Sequence, residues 1–571
     1  MKQVIKLFDV PHISSIQDMI FKSYTKHIEK IALEDFLNTP LSKLTYGELY
    51  NNIIKFGKSL LKIGLNEREH IAVIGENRVQ WGIAYLTAMC FNFVIVPVDK
   101  SLSENDIINI IYESDSRAIV FSGALQRIIC EMKTSLNKVR YYISMDLPED
   151  KDGFHSMIKM INQQDKVIEN FPKVNPDDLA EIIYTSGSLG RAKGVMLTQK
   201  GLAANLTGMT SMIKVSPEDR FIGILPLHHT YQCTCGFLCP LYAGASAHFI
   251  RSLKTILEDI KNSKATIMLG APLLYNKLYS KIIKNISENK IKTKIFPFLV
   301  ILTNIFKLIG WKNCKKVVFS KLHQKFGGSL RLLIAGGAAP DPKVSKWFRD
   351  VGFDFVQGYG LTETSPILTL NKIEKFKDEA AGLPLPGVEI RIYQPNKYGV
   401  GEIYAKGDNI MLGYYKNETI TSESFDGGWF KTGDLGFIDN DGFLHLNGRM
   451  KNVIIANNGE NVYPEEIEDL LNRSHFIIES LVYGEKDEKH DEIIASQIVS
   501  DSEALIDYAE KNNIKLTGDI IYKIISDEIR KINKELAPFK QIKKFYLREN
   551  EFEKTTTQKI KRHLIQKTNN K

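Results

Sequence analysis

The sequence has little cysteine. Six cysteines in 571 residues, at positions 90, 130, 233, 235, 239 and 314, do not make a disulfide framework for a chain of this size. A chain this long buries enough core to fold without one. Cys233, Cys235 and Cys239 cluster in an apolar run with no second CxxC pair, so small buried side chains are expected there rather than a zinc site. No run reaches 18 uninterrupted apolar residues, which argues against a spanning helix. Asp9 and Pro11 interrupt any apolar stretch behind Lys2 and Lys6, so no targeting leader is read. There is no arginine-rich arm, and no nucleic-acid partner is expected. Internal repeats and low-complexity tracts are also absent. The net charge of +8 reads as the Lys, Ile and Asn richness of the whole chain rather than as a basic face. These absences leave a soluble globular protein of the reducing cytoplasm.

What is present alternates strand-like and helix-like segments. Thr45 and Glu48 form a capping box, followed by Leu49, Ile53, Phe56 and Leu60 at helical spacing. Residues 71–74, 94–98 and 118–121 read as buried strands, which predicts parallel α/β architecture. The pattern resumes with a strand at 182–184, a helix from about Thr198, and strands at 331–335 and 354–357. From about 384 to 447 glycines become frequent and strands short, predicting a β-rich, barrel-like subdomain. After Gly448 the texture changes to helices near 464–471 and 517–535 with strands near 481–484 and 493–499. This reads as a small separate α+β domain. The expected division is 1–448 and 449–571. The apolar run Ile295–Ile309 among the lysines of 281–325 is expected to be a buried helix with solvated flanks. A basic, apolar surface meeting the inner face of a membrane is the alternative.

The segment Thr185, Ser186, Gly187, Ser188, Leu189, Gly190, Arg191, Ala192, Lys193, Gly194 has the chemistry of an anion cradle. Its glycines let the backbone approach an anion, its hydroxyls donate, and Lys193 adds a mobile charge. A P-loop NTPase is excluded by spacing, because Gly190 is followed by Arg191 and Lys193 by Gly194. A strand before the loop and a helix after it are expected.

Further segments give this loop its meaning. Leu225–Pro226–Leu227–His228–His229, Gly336–Gly337–Ala338–Ala339–Pro340, Gln357–Gly358–Tyr359–Gly360–Leu361–Thr362–Glu363, Trp429–Phe430–Lys431–Thr432–Gly433–Asp434, Gly448–Arg449–Met450–Lys451 and Thr555–Thr556–Thr557–Gln558–Lys559–Ile560–Lys561–Arg562 follow in order. In this order they resemble the motifs of the AMP-forming acyl-CoA synthetases of the adenylate-forming superfamily, over nearly the whole chain. The loop departs from the family pattern at Leu189, in place of a hydroxyl residue, and at Ala192, in place of proline. Gln558 stands where many relatives have glycine.

The resemblance implies a two-step ligase, in which ATP activates a carboxylate as acyl-adenylate with Mg²⁺ and coenzyme A then takes the acyl group. It assigns Thr185, Ser186, Gly187, Ser188, Gly190 and Lys193 to the phosphates, and Gly336, Gly337, Ala338, Tyr359, Gly360, Asp434 and Arg449 to adenine and ribose. Thr362 would donate to the α-phosphate, Glu363 would hold the metal, and Lys559 would bridge the reacting anions. His229 would border the acyl pocket, Lys451 would be the hinge of a mobile C-terminal domain, and Gly459 would line the coenzyme A channel, where a side chain would obstruct it. A long-chain fatty acid is the preferred substrate. Acyl carrier protein as acceptor, a short or aromatic acid, or a catalytically silent nucleotide-binding regulator are the competing readings. No feature of the sequence bears on oligomeric state.

Overall fold

The computed structural model describes residues 7–37, 39, 41–163, 171–185, 192–288, 290–311, 313–456, 459–487, 492–554 and 560–565. The chain divides into two compact units. One comprises residues 1–389 with 405–430, and the other 390–404 with 431–571.

The larger unit is built on two sheets. In the first, eight strands run in the order 413–414, 193–198, 179–185, 94–98, 70–74, 116–121, 141–144 and 155–156. His70–Ile74 lies at its centre, parallel to Val94–Val98 on one side and Ser116–Phe121 on the other. These strands are Val- and Ile-rich and buried along their length, as parallel strands covered on both faces must be. The second sheet has nine strands in the order 383–384, 367–370, 354–360, 332–335, 267–270, 220–223, 246–249, 31–35 and 43–45. Its central strands are parallel and its outer pairs antiparallel. The expected α/β class holds.

Local signals act as read. Thr45 and Glu48 make a reciprocal capping box, and Leu49, Ile53, Phe56 and Leu60 of the helix Tyr46–Lys62 are all buried. Glycine is required within this helix at Gly57, where an added Cβ would lie 2.3 Å from the ring of Phe91.

In the smaller unit, residues 431–438 and Leu444–Arg449 form an antiparallel hairpin in a sheet that includes residues 390–393 and 401–404. Further on, Ile477–Lys486, Glu492–Ser500 and Lys544–Arg548 form a three-stranded sheet. The helices Pro464–Leu471 and Gly518–Asn533 share a core with it through Ile467, Leu471, Val482, Ile498, Ile525 and Ile529.

Two expectations are corrected. The glycine-rich loop does not lead from a strand into a helix. Leu179–Thr185 pairs antiparallel with Lys193–Thr198, so the loop closes a β-hairpin, with Thr185 opposite Lys193. The helix Gln199–Met212 begins only after the second strand, capped by Thr198. The residues Val195, Met196 and Leu197 explain this, since they suit a strand packed within a sheet. The second correction concerns the run Ile295–Ile309. It lies in the helix Lys290–Leu308, but the helix is not buried: Phe298, Ile301 and Ile305 are 63%, 59% and 50% exposed. Its central run, residues 295–302, is apolar on every side of the helix, and only one side has a core to pack against.

Candidate active site

Three of the motif segments follow the C-terminal ends of parallel strands in the nine-stranded sheet. Leu225–His229 follows Arg220–Gly223, Gly336–Pro340 follows Leu332–Ala335, and Leu361–Glu363 follows Asp354–Gly360. This is where open α/β sheets place ligands, because connections diverge there and leave a crevice.

Neighbouring groups fix each segment. Asn77 holds the first with two hydrogen bonds, donating to the Leu225 carbonyl at 2.7 Å and accepting from the Leu227 amide at 2.8 Å. His228 is partly buried, its Nε2 3.8 Å from Asp99 Oδ2, and desolvation lowers its pKa to about 4, so it is neutral near pH 7. His229 is partly buried, its ring 5.2 Å from that of His228. The following Tyr231–Leu238 winds as a π-helix, a geometry that recurs at functional sites. Its first residue sends the Tyr231 hydroxyl to the Ile334 carbonyl at 3.1 Å. The same ring lies beneath Gly336, where an added Cβ would come within 2.7 Å of it. Gly337 has φ +86° and, like Ala338, is exposed. Cys233, Cys235 and Cys239 are buried around this helix, where desolvation raises all three thiols, Cys239 to about 12. Among the described residues no group of His, Cys, Asp and Glu has the arrangement of a metal centre.

Tyr359 is buried on the strand Asp354–Gly360, opposite Thr369. Gly360 admits no side chain, since its Cβ would sit 1.8 Å from the Pro366 carbonyl oxygen. Thr362 and Glu363 lie in the short 3₁₀ turn Thr362–Thr364. Two buried asparagines brace this turn and the strand Ile367–Leu370 that follows it. Asn205 donates to the Ile367 carbonyl at 2.7 Å, and Asn409 to the Thr364 carbonyl at 2.9 Å. Thr230 places its hydroxyl 3.3 Å from that of Thr362, joining the histidine segment to the turn.

Tyr414 connects the base of the loop to Glu363. Gly413–Tyr414 adds as a strand beside Lys193–Thr198. The Tyr414 hydroxyl donates to Glu363 Oε1 at 2.9 Å, and Lys193 Nζ lies 5.1 Å from the centre of the same ring. The Met411 amide donates to the Glu363 carbonyl at 2.9 Å. Among the described residues Glu363 Oε2 has no hydrogen-bond partner, which leaves a hard oxygen of the kind that ligates Mg²⁺. Thr185 and Lys193 face each other across the hairpin, whereas Ser186, Gly187, Ser188 and Gly190 lie outside the described residues.

The smaller unit carries the remaining positions. Asp434 and Arg449 are register partners across their hairpin, with Arg449 Nε 2.9 Å from Asp434 Oδ1. The Thr432 hydroxyl accepts from the Asp434 amide at 3.1 Å and donates to the Ile403 carbonyl at 2.8 Å. Lys451 lies in the 3₁₀ turn Met450–Asn452. Gly459 has φ +78° with open space around it, so its backbone conformation, rather than crowding by a protein neighbour, favours glycine there. Lys559 lies outside the described residues, between Lys554 and Ile560, which form an antiparallel bridge. The ends of that segment are anchored. Lys554 pairs with Glu479 at 2.6 Å, and Arg562 pairs with Glu468 and donates to the Val482 carbonyl at 3.1 Å. Burial raises the Glu468 pKa to about 7, and Arg562 opposes the rise.

Asn77, Asn205, Asn409, Thr230 and Tyr414 were not among the sequence candidates. Only Asn205 left a trace, as a polar residue within the apolar helix containing Leu202, Leu206 and Met209.

Motif segments at parallel strand ends, a hairpin carrying Thr185 and Lys193, and the braced Glu363 carboxylate all belong to the larger unit. The chain matches the AMP-binding enzyme family over residues 20–415 and belongs to it. Among curated relatives, it is 24% identical to the long-chain-fatty-acid–CoA ligase FadD15 of Mycobacterium tuberculosis, over 98% of this chain and 96% of that protein. It is 28% identical to long-chain-fatty-acid–CoA ligase 5 of Rattus norvegicus, over 90% of this chain and 80% of that protein. The chloroplastic long-chain-fatty-acid–[acyl-carrier-protein] ligase AEE15 of Arabidopsis thaliana is 26% identical, over 92% and 81%. Among solved structures, the anthranilate CoA ligase AuaEII with anthranoyl-AMP superposes with a TM-score of 0.79 at 20% identity, covering 98% of both chains. ATP-bound MatB from Rhodopseudomonas palustris superposes at 0.77 and 23% identity, covering 97% of this chain and 98% of that one. At these identities the structural likeness is evidence for the fold.

Proposed function

We propose that the protein is an ATP-dependent long-chain fatty acid–CoA ligase. It converts a fatty acid to its acyl-adenylate with release of pyrophosphate, then to the coenzyme A thioester with release of AMP. The observation that carries this reading is the grouping of Lys193, Tyr414 and Glu363 at the loop hairpin, in a chain of the AMP-binding enzyme family. The curated relatives named as long-chain ligases support the choice of acid and acceptor.

In this reading the hairpin loop, with Thr185, Ser186, Gly187, Ser188, Gly190 and Lys193, holds the β- and γ-phosphates through backbone amides, hydroxyls and one ammonium. Gly336, Gly337, Ala338, Tyr359 and Gly360 receive the adenine. Asp434, held by Arg449, accepts the ribose hydroxyls. Glu363 would hold Mg²⁺, which when bound offsets phosphate charge. Carboxylate attack on the α-phosphate brings two anions together, so the site must orient them and neutralise the charge that builds. Thr362 donates to the α-phosphate, and Lys559 supplies the positive charge that bridges both reactants. The acyl chain runs past His229, and the thiol arrives past Gly459. The functional boundary is placed at 448/449, with 449–571 turning about Lys451 between the half-reactions. The protein acts in the cytoplasm, in peripheral contact with the inner face of a membrane.

A second reading has a specific observation in its favour. The relative AEE15 is named for acyl carrier protein, so the acceptor thiol could be protein-borne. Pyrophosphate release should be measured with palmitate, acetate and benzoate, with coenzyme A and acyl carrier protein supplied in turn. Release with palmitate and coenzyme A is expected, abolished in Lys559→Ala. Turnover with acyl carrier protein alone would select the second reading, and no release with any acid would refute both.

A further inference from the structure

The positive charge of this protein is local. Residues 281–325 contain eleven lysines, no arginine and one acidic residue, Glu288. Their net charge is +10 where the whole chain carries +8, so everything outside that stretch sums to −2. The reading of basicity as a property of the whole composition is therefore wrong. Lys281, Lys284, Lys294, Lys307 and Lys316 are exposed.

The helix Lys290–Leu308 lies in the middle of this charge. One side packs inward through Phe296, Leu299 and Val300, with Phe296 stacked on Trp347 at 6.1 Å. The other side presents Ile291, Ile295, Phe298, Ile301, Ile305 and Leu308, exposed by 68%, 46%, 63%, 59%, 50% and 88%. Their spacing of three and four residues places them on one face. Ile309 and Trp311, 75% and 48% exposed, extend the patch beyond the helix end. Soluble monomers rarely leave so continuous an apolar surface in water.

We propose that this face docks on a bilayer containing anionic phospholipid, with the helix lying in the interface and the lysines among the headgroups. The inference deepens the peripheral membrane contact proposed above and rests on it. Charge selects the occupant. A second copy would set one lysine-rich face against another. Protein interfaces favour arginine and deplete lysine, whereas an aliphatic face flanked by lysines is the pattern of interfacial helices. No described helix is long and apolar enough to cross a membrane, and Pro297 sits inside this one, so the contact is with the surface.

The full chain should be sedimented with vesicles of phosphatidylcholine alone and of phosphatidylcholine mixed with phosphatidylglycerol, at low and high salt. Ile301→Asp/Ile305→Asp and Lys294→Glu/Lys307→Glu should be run beside it. All four side chains are exposed, so melting temperatures are expected to match the wild type. Each lysine near an anionic surface changes binding about fivefold, so the double reversal should weaken it at least about 25-fold. Salt should weaken it too. The aspartate variant should lose it at any salt. Equal binding by the variants, or no binding to the anionic vesicles, would overturn the proposal. So would a wild-type dimer that the aspartate variant makes monomeric. Pyrophosphate release with detergent-dispersed palmitate is measured on the same samples. Its absence, with vesicle binding and its loss intact, would refute the ligase reading and leave the docking supported.

Discussion

Replacing Tyr414 by phenylalanine isolates one hydrogen bond at the proposed metal site. The hydroxyl donates to Glu363 Oε1 at 2.9 Å, from a side chain only 8% exposed. A hydrogen bond to a charged group contributes about 1.5–3 kcal/mol, or roughly 10- to 150-fold in an equilibrium. Glu363 is partly exposed and water can take the place of the lost donor, so the lower end applies. Phenylalanine keeps the ring, and Lys193 Nζ keeps its position 5.1 Å from the ring centre. Initial rates of pyrophosphate release across a Mg²⁺ titration should therefore show kcat/KM for ATP reduced about tenfold and the Mg²⁺ dependence shifted to higher concentration. Thermal stability should change little. Tyr414→Leu also removes the cation–π contact and should cost a further two- to fivefold, roughly. An unchanged Mg²⁺ dependence with unchanged kcat/KM in Tyr414→Phe would refute the claim that this hydroxyl positions Glu363.

Three other outcomes are expected. Gly360→Ala drives a Cβ to within 1.8 Å of the Pro366 carbonyl oxygen, so the turn must shift. A loss of about 3 kcal/mol, read in denaturant unfolding, should result. Glu181 is fully buried beside the Tyr85 hydroxyl, and burial raises its pKa from 4.5 to about 8, so the folded chain holds its proton at neutral pH. Because the folded pKa lies above the unfolded one, its contribution is complete below pH about 4.5 and is lost as pH rises to about 8. Glu181→Gln should flatten that decline in urea titrations across the same window, and an identical slope would count against the assignment. Asp434→Asn keeps the side-chain shape but loses the charge facing Arg449 and the proposed ribose. Steady-state kinetics should show KM for ATP raised about tenfold, with kcat less affected.

The local elements were legible because their causes are local. The Thr45–Glu48 capping box, the buried strands around residues 71–74 and 94–98, and the helix at 464–471 follow from spacing within a few residues. The motif order was legible for a related reason: Gly360, Asp434 and Arg449 are held by turns and a hairpin written in contiguous sequence. The loop hairpin was misread because Lys193–Thr198 is short and apolar, and such a run takes its form from its neighbours in the sheet rather than from its own periodicity.

By itself the sequence determined the α/β class, the motif order and the candidate chemistry, since glycine turns, caps and hydrophobic period are properties of neighbouring residues. The tertiary structure alone decided which side chains meet. Asn205 reaches the Ile367 carbonyl 162 positions away, and Tyr414 reaches Glu363 across 51. It also decided which side of the helix Lys290–Leu308 stays in water. Both sides are apolar in the sequence, and only the position of the core beneath Phe296, Leu299 and Val300 separates the buried face from the exposed one.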